Sequence, residues 1–215
     1  MVKKIGILFD CDGTLLDSLG NAFDSFDYAF DQIGEPRQKP ENIKKFFGTS
    51  ADRIFINLMN DSQLALKAFE FYLDHQAELA LKTKLHHGIE ELLEALLSKN
   101  IPLGIVTGRH AKDLENVLRP HDIKHFFKSI IADSDVTRSK PAPDGLLLAL
   151  SQMGIDSENS FYLGDSPTDI QAAHNAQSKS VAVLWDKTVD KLEMEKVSPH
   201  FLINHPHEML DLLLL

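Results

Sequence analysis

The sequence predicts an α/β fold: a parallel sheet covered by helices on both faces, with a helical module inserted after the first strand. Three observations lead there. Short, almost uninterrupted apolar runs recur along the 215-residue chain, and helical stripes separate them after residue 85. The stretch from about 17 to 85 breaks this rhythm and holds no convincing strand. Apolar runs without polar alternation fit strands buried on both faces, the condition of a parallel sheet. Strands alternating with helices make repeated βαβ units.

The elements follow in order. Lys4 to Asp10 (KIGILFD) reads as the first strand. In the insertion, Phe23, Phe26, Phe30 and Ile33 share one helical face, and Gly34 to Pro40 reads as a loop. Ile54 and Leu58 mark a second helix, and Leu64, Ala68, Phe71, Tyr72, His75 and Leu79 a long third. The Phe-rich stripe is expected to be the module's own core. After residue 85, Ile89, Leu92, Leu93 and Leu96 form a helical stripe preceded by Gly88. The strand candidates are Ile101 to Thr107, Lys128 to Asp133, Ser160 to Asp165 and Ser180 to Trp185. Between them, Leu114, Val117 and Leu118 form one helix. Pro141 is expected to open another that stops at Gly154, and Pro167 a third. A last amphipathic helix starts near Pro206. The boundaries are therefore 1–16 with 86–215 for the sheet core, and 17–85 for the inserted helices.

Composition narrows the function. Lys plus Arg number 22 against 32 Asp plus Glu, a net charge of −10 that would repel phosphate backbones, so nucleic acid is not an expected partner. An anionic substrate would then need locally placed cations or a metal. Cys11 is the single cysteine, which fits a reducing compartment. No stretch approaches the roughly 18 apolar residues of a membrane span. The expectation is a cytoplasmic protein without a membrane partner, a monomer or weak homodimer.

In an open α/β sheet, ligands bind outside the carboxyl ends of the strands. The first strand ends in Asp10-Cys11-Asp12-Gly13-Thr14, the next in Thr107-Gly108, and another in Gly164-Asp165-Ser166-Pro167-Thr168-Asp169. A loop between them carries Ser139-Lys140-Pro141. Carboxylates crowded together need a cation, and an all-oxygen donor set suits Mg²⁺. One carboxylate is then free to attack phosphorus and form an aspartyl-phosphate. Lys140 and the Thr107 hydroxyl can hold the phosphate oxygens. Asp12, two residues after Asp10, can protonate the leaving group and later deprotonate water.

FDCDGTLLDS, IVTG, SKP and GDSPTDIQAA, in that order, resemble the four motifs of the haloacid dehalogenase-like hydrolases. The likeness is to the phosphoglycolate phosphatase and β-phosphoglucomutase-like branch and covers essentially the whole chain. It implies a Rossmann-like core with an inserted α-helical cap, and a small phosphorylated metabolite as substrate. It also implies Asp10 as nucleophile and Asp12 as general acid/base. Mg²⁺ would be held by the Asp10 side chain, the Asp12 carbonyl and the Asp165 side chain, with Asp169 in or beside its shell. Thr107, the Gly108 amide and Lys140 would grip the phosphate. Two positions depart from the pattern. Cys11 stands where a larger residue is usual and, by strand alternation, points into the core. Arg109 follows Thr-Gly where relatives often have Asn then Lys, and either reaches a substrate anion or sits on the surface.

The cap loop Phe46 to Arg53 lacks the His and Lys of mutase relatives, which favours water as acceptor; Arg53 could bind a substrate anion. Phosphoglycolate, a sugar phosphate, a nucleotide or pyrophosphate all fit. The alternatives are a phosphomutase of the β-phosphoglucomutase type and a non-catalytic binding protein on the same fold. His86-His87 is read as a solvated loop rather than a metal pair, and Trp185 as packing at the site's rim.

Overall fold

A computed structural model describes residues 4–214. Six parallel strands form the central sheet: β1 (Gly6–Phe9), β4 (Leu103–Val106), β5 (Phe127–Ile131), β6 (Ser160–Gly164), β7 (Lys179–Val183) and β8 (Phe201–Ile203), in the order β5-β4-β1-β6-β7-β8. From β1 the chain goes first to β4 and β5 on one side, then to β6, β7 and β8 on the other. The switch point is therefore at β1, where such sheets place their ligands. Phe9 aligns with Ile105 on one neighbour and Leu163 on the other, so Asp10, Thr107 and Asp165 emerge from adjacent strand ends.

Alternation along β1 sorts its side chains between two layers. Ile7, Phe9 and Cys11 join α5 (Ile89–Ser98) and α6 (Ala111–Leu118) in one apolar cluster. Leu8 joins α7 (Asp144–Met153) and α8 (Pro167–Asn175) in the other. Helices thus cover both faces, and Cys11 is fully buried as expected. α9 (Lys191–Lys196) packs Met194 on Ile170 and Ala182, and α10 (Glu208–Leu212) places Met209 in the first cluster. No helix among the described residues is long and apolar enough to cross a membrane.

Residues 17–85 carry α1 (Leu19–Ile33), α2 (Pro40–Lys44), α3 (Ala51–Leu58) and α4 (Ser62–Leu79). These four helices bury their own cluster. Phe55 lies with its ring centroid 5.0 Å from Phe26 and 5.4 Å from Phe30, and Tyr72 packs at 4.9 Å from Phe26. Gly34 closes α1 in the left-handed conformation at φ 75°, and the Asp61 carboxylate caps α4 through the Gln63 and Leu64 amides.

Some details differ from the sequence reading. The insertion is not free of strand: β2 (Leu16–Asp17) and β3 (Lys84–Leu85) pair antiparallel where the chain enters and leaves it. Pro141 does not open α7. Ala142 precedes Pro143 and is thereby pushed out of helical backbone, so the helix begins at Asp144 and Ser139 to Ala142 form a turn. β8 adds a sixth strand after the last one foreseen, and its three-residue run is too short to read alone. His86, expected in a solvated loop, is instead largely buried, with Nε2 3.4 Å from Asp186 Oδ2.

Phe55 is fully buried among aromatic neighbours, so Phe55→Ala should cost about 3–5 kcal/mol of stability. Urea unfolding checks this, with a loss below about 1 kcal/mol contradicting the packing.

Candidate active site

The first loop after β1 is built by backbone bonds. The Asp10 amide donates to Leu163 O at 2.8 Å, which pins the strand end. Gly13 takes φ +68°, and a Cβ there would come 2.2 Å from Asp165 Oδ2, so only glycine lets these two loops meet. Trp185 Nε1 donates to Thr14 O at 2.9 Å and steadies the loop from the rim.

Asp10 is 6% exposed, and Lys140 Nζ donates to its Oδ1 at 2.9 Å. The same ammonium donates to Asp169 Oδ1 at 2.6 Å and approaches the Tyr162 hydroxyl at 3.2 Å. Asp169 is fully buried, and its other oxygen takes Ser166 N at 3.1 Å and Ser166 Oγ at 2.5 Å. Asp169 thus fixes both Lys140 and the loop that carries Asp165. Tyr162, which donates to Val106 O at 2.8 Å, completes this anchor. The sequence reading missed it; a tyrosine inside an apolar strand, one turn of pleat from Gly164, was the available signal.

Asp10, Asp165 and Asp169 each bring a carboxylate oxygen within 4.8 Å of the other two. Burial pushes the Asp10 pKa up, Asp169 and Asp12 add to this, and Lys140 opposes it, leaving a value of about 7. Burial, with Asp169 and Asp10, drives Asp165 well above the usual carboxylate range. Burial works against the Lys140 charge, but Asp10 and Asp169 outweigh it and hold the ammonium firmly protonated. Three carboxylates facing one lysine leave the cluster short of positive charge. An all-oxygen set of this kind fits Mg²⁺, with Asp10 and Asp165 as the side chains open to it. Asp12 stands outside the cluster, so its side chain is not among the candidate ligands.

Asp12 is held from the other side. Arg109 Nε lies 3.0 and 2.9 Å from its two oxygens, Arg109 Nη2 donates to Oδ1 at 2.6 Å, and Ser18 Oγ donates to Oδ1 as well. Arg109 also donates through Nη1 to Asp113 Oδ2 at 2.6 Å and to Gln76 Oε1, on α4, at 3.1 Å. At 5% exposure Arg109 is not a surface residue, contrary to one of the two alternatives. The sequence reading passed over Gln76 and Asp113. The Arg109 to Asp113 spacing of i, i+4 at a helix start was readable as an ion pair.

Thr107 is buried, and its Oγ1 accepts the Arg109 amide at 3.1 Å, which leaves its hydroxyl proton available. Gly108 lies beneath the inserted helices: a Cβ there would meet the Gly48 carbonyl carbon at 3.1 Å. The loop carrying Gly48 thus closes the site, and Phe47 stacks on Phe23 at 5.5 Å to hold it. Arg53 does not reach the cavity. Its Nη1 donates to Ser139 Oγ at 2.6 Å and its Nε lies 3.5 Å from Asp133 Oδ2, which also takes the Ser50 amide at 3.1 Å. The cavity is lined by Asp10, Asp12, Gly108, Arg109, Lys140 and Asp165 below, with Phe26, Phe47 and Tyr72 among the side chains above.

The chain matches the family model described as haloacid dehalogenase-like hydrolase over residues 7–183. It is 28% identical over 211 residues to an N-acetylmuramic acid 6-phosphate phosphatase of Pseudomonas aeruginosa, covering 96% of this chain and 93% of that protein. It is 30% identical over 206 residues to a phosphoglycolate phosphatase of Escherichia coli K12, covering 84% and 81%. A haloacid dehalogenase-like hydrolase from Streptococcus pneumoniae superposes with a TM-score of 0.80 at 25% identity, over 99% of this chain and 100% of that one. A hydrolase from Pseudomonas syringae shares the fold, with a TM-score of 0.86 at 23% identity over 98% of both.

The crowded carboxylates make metal-free stability pH-dependent. With folded-state pKa values raised above the unfolded ~3.9, the folded protein binds more protons than the unfolded chain between about pH 4 and 7. Stability of the chelated protein should fall as pH rises through that window, and millimolar Mg²⁺ should flatten the decline. Thermal unfolding from pH 4.5 to 8 checks this; a metal-free curve that rises across the window contradicts it.

Proposed function

The chain belongs to the haloacid dehalogenase-like hydrolases and is a phosphatase, and from that premise we propose that it hydrolyses a small phosphate monoester through an aspartyl-phosphate on Asp10, with Mg²⁺ bound. The observation that carries the reading is the pairing of two carboxylates in different surroundings at the end of β1. Asp10 sits beside Lys140 and the acidic cluster, and Asp12 beside Arg109 and Ser18.

In the first half-reaction an Asp10 oxygen attacks phosphorus, the ester P–O bond breaks, and the alcohol leaves with a proton from Asp12. In the second, water attacks the same phosphorus and gives a proton to Asp12. The Asp10–phosphorus bond breaks, and inorganic phosphate departs. Lys140 and the Thr107 hydroxyl bind the equatorial phosphate oxygens, and Asp169 keeps Lys140 in place. Arg109 and Ser18 hold the Asp12 carboxyl group in place beside the reacting centre. Bound through Asp10 and Asp165, with Asp12 supplying its carbonyl, Mg²⁺ would neutralise charge on the phosphate oxygens.

The cap loop contributes Phe47, Gly48, Thr49 and Ala51 to the cavity lining and no cation, which supports water rather than a second sugar hydroxyl as acceptor. The relatives' names mark small phosphorylated metabolites as the substrate class. A metabolic enzyme of this kind would work in the cytoplasm without a protein or nucleic-acid partner, as a monomer or weak homodimer.

Turnover of p-nitrophenyl phosphate with Mg²⁺ should disappear in Asp10→Asn and fall by about 10²–10⁴ in Asp12→Asn. Retained activity in Asp10→Asn would refute covalent catalysis at that residue. Arg53→Ala loosens a partly exposed link between cap and core worth about 0.2–1 kcal/mol, so KM should rise up to about fivefold with kcat little changed. A fall in kcat alone would contradict the latch role.

A further inference from the structure

We infer that the alcohol half of the substrate is uncharged and largely apolar, and that monoesters carrying a carboxylate or a second phosphate on that half are poor substrates. The inference rests on the phosphatase reading above and names the substrate class for the same cavity.

The charges around the cavity are unevenly spent. Its basic lining residues are Arg109 and Lys140, against Asp10, Asp12, Asp113 and Asp165. Lys140 lies at the phosphoryl end, between Asp10 and Asp169. That leaves Arg109 to serve the alcohol end, and two carboxylates already hold it, Asp12 and Asp113, each at 2.6 Å. Gln76 takes a further N–H. One guanidinium against two carboxylates leaves no uncommitted positive charge among the described residues that line this end. The second oxygen of Asp113 is buried without a hydrogen-bond partner among the described residues, so the shortage is of donors, not acceptors. Burial pushes the Asp113 pKa up even though Arg109 opposes it, a sign that negative charge is already disfavoured here. Arg53, the cation at the end of the cap loop, is turned away to Asp133 and Ser139, and Lys44 and Lys45 line an adjoining pocket rather than this cavity.

Much of the rest of the lining is apolar, Thr49 and Ser166 being polar. Leu19, Ala22 and Phe26 from α1, Phe47 from the cap loop, Ile54 from α3 and the Tyr72 ring from α4 form the apolar part. A carboxylate placed against these side chains would lose its water and meet Asp12 and Asp113 with no free cation among the described lining residues, a like-charge juxtaposition that binding sites use to reject ligands. An alkyl or aryl group would instead bury its surface against the same side chains. The substrate class so inferred differs from phosphoglycolate, the ester named for several similar proteins.

The experiment compares kcat/KM of the Mg²⁺-loaded enzyme on size-matched pairs: propyl phosphate against phosphoglycolate, and 4-methylphenyl phosphate against 4-carboxyphenyl phosphate. The uncharged member should be preferred by about tenfold or more in both pairs. In a folded Asp113→Asn variant, which frees part of Arg109, the preference should shrink severalfold. Equal or greater kcat/KM for the carboxylated esters would overturn the inference and leave the phosphatase reading intact. No turnover of any of the four esters or of p-nitrophenyl phosphate would overturn both.

Discussion

The repulsion among Asp10, Asp165 and Asp169 shapes everything around it. Their oxygens converge within 4.8 Å in a nearly buried place, and one lysine faces them. Such a cluster is costly to fold and is tolerable only with rigid support and a cation to share. The support is visible: Asp169 is tied at both oxygens, Tyr162 braces it from within the sheet, and Gly13 lets the loops of β1 and β6 touch. The parallel sheet supplies the convergence itself, because its switch point brings the ends of β4, β1 and β6 side by side.

The inserted module meets this centre at polar contacts that end on groups next to the chemistry, among them Ser18 on Asp12. Gln76 touches Arg109, which holds Asp12, and Arg53 with the Ser50 amide touches Asp133, whose own amide bonds Arg109 O at 2.9 Å. The helical module keeps an aromatic core of its own, while Ala80 and Leu85 at its end join the apolar cluster of the sheet. Phe26 and Phe47 serve both purposes, packing within the module and lining the cavity.

Much of this was legible in the sequence because β strands buried on both faces leave continuous apolar runs, and because the chemistry sits where those runs stop. Asp10, Thr107 and Asp165 each follow such a run directly. Short elements were not legible: β8 offers three residues, α2 five and α9 six, too few to establish a period. The start of α7 was misplaced because two prolines, Pro141 and Pro143, compete as helix openers and only the second is followed by helix. The arginines were the least readable. Arg53 and Arg109 looked alike as candidate anion ligands, yet long-range partners decide their work, Asp133 for one and Asp12 for the other. Those partners lie 80 and 97 residues away for the decisive contacts, Arg53 with Asp133 and Arg109 with Asp12, and no local pattern encodes them.

The most direct measurement is a crystal structure with Mn²⁺ in place of Mg²⁺, read by anomalous scattering. The account predicts one strong peak bonded to an oxygen of Asp10 and an oxygen of Asp165, with Lys140 still on Asp169. A peak elsewhere, or none at saturating metal, would contradict it.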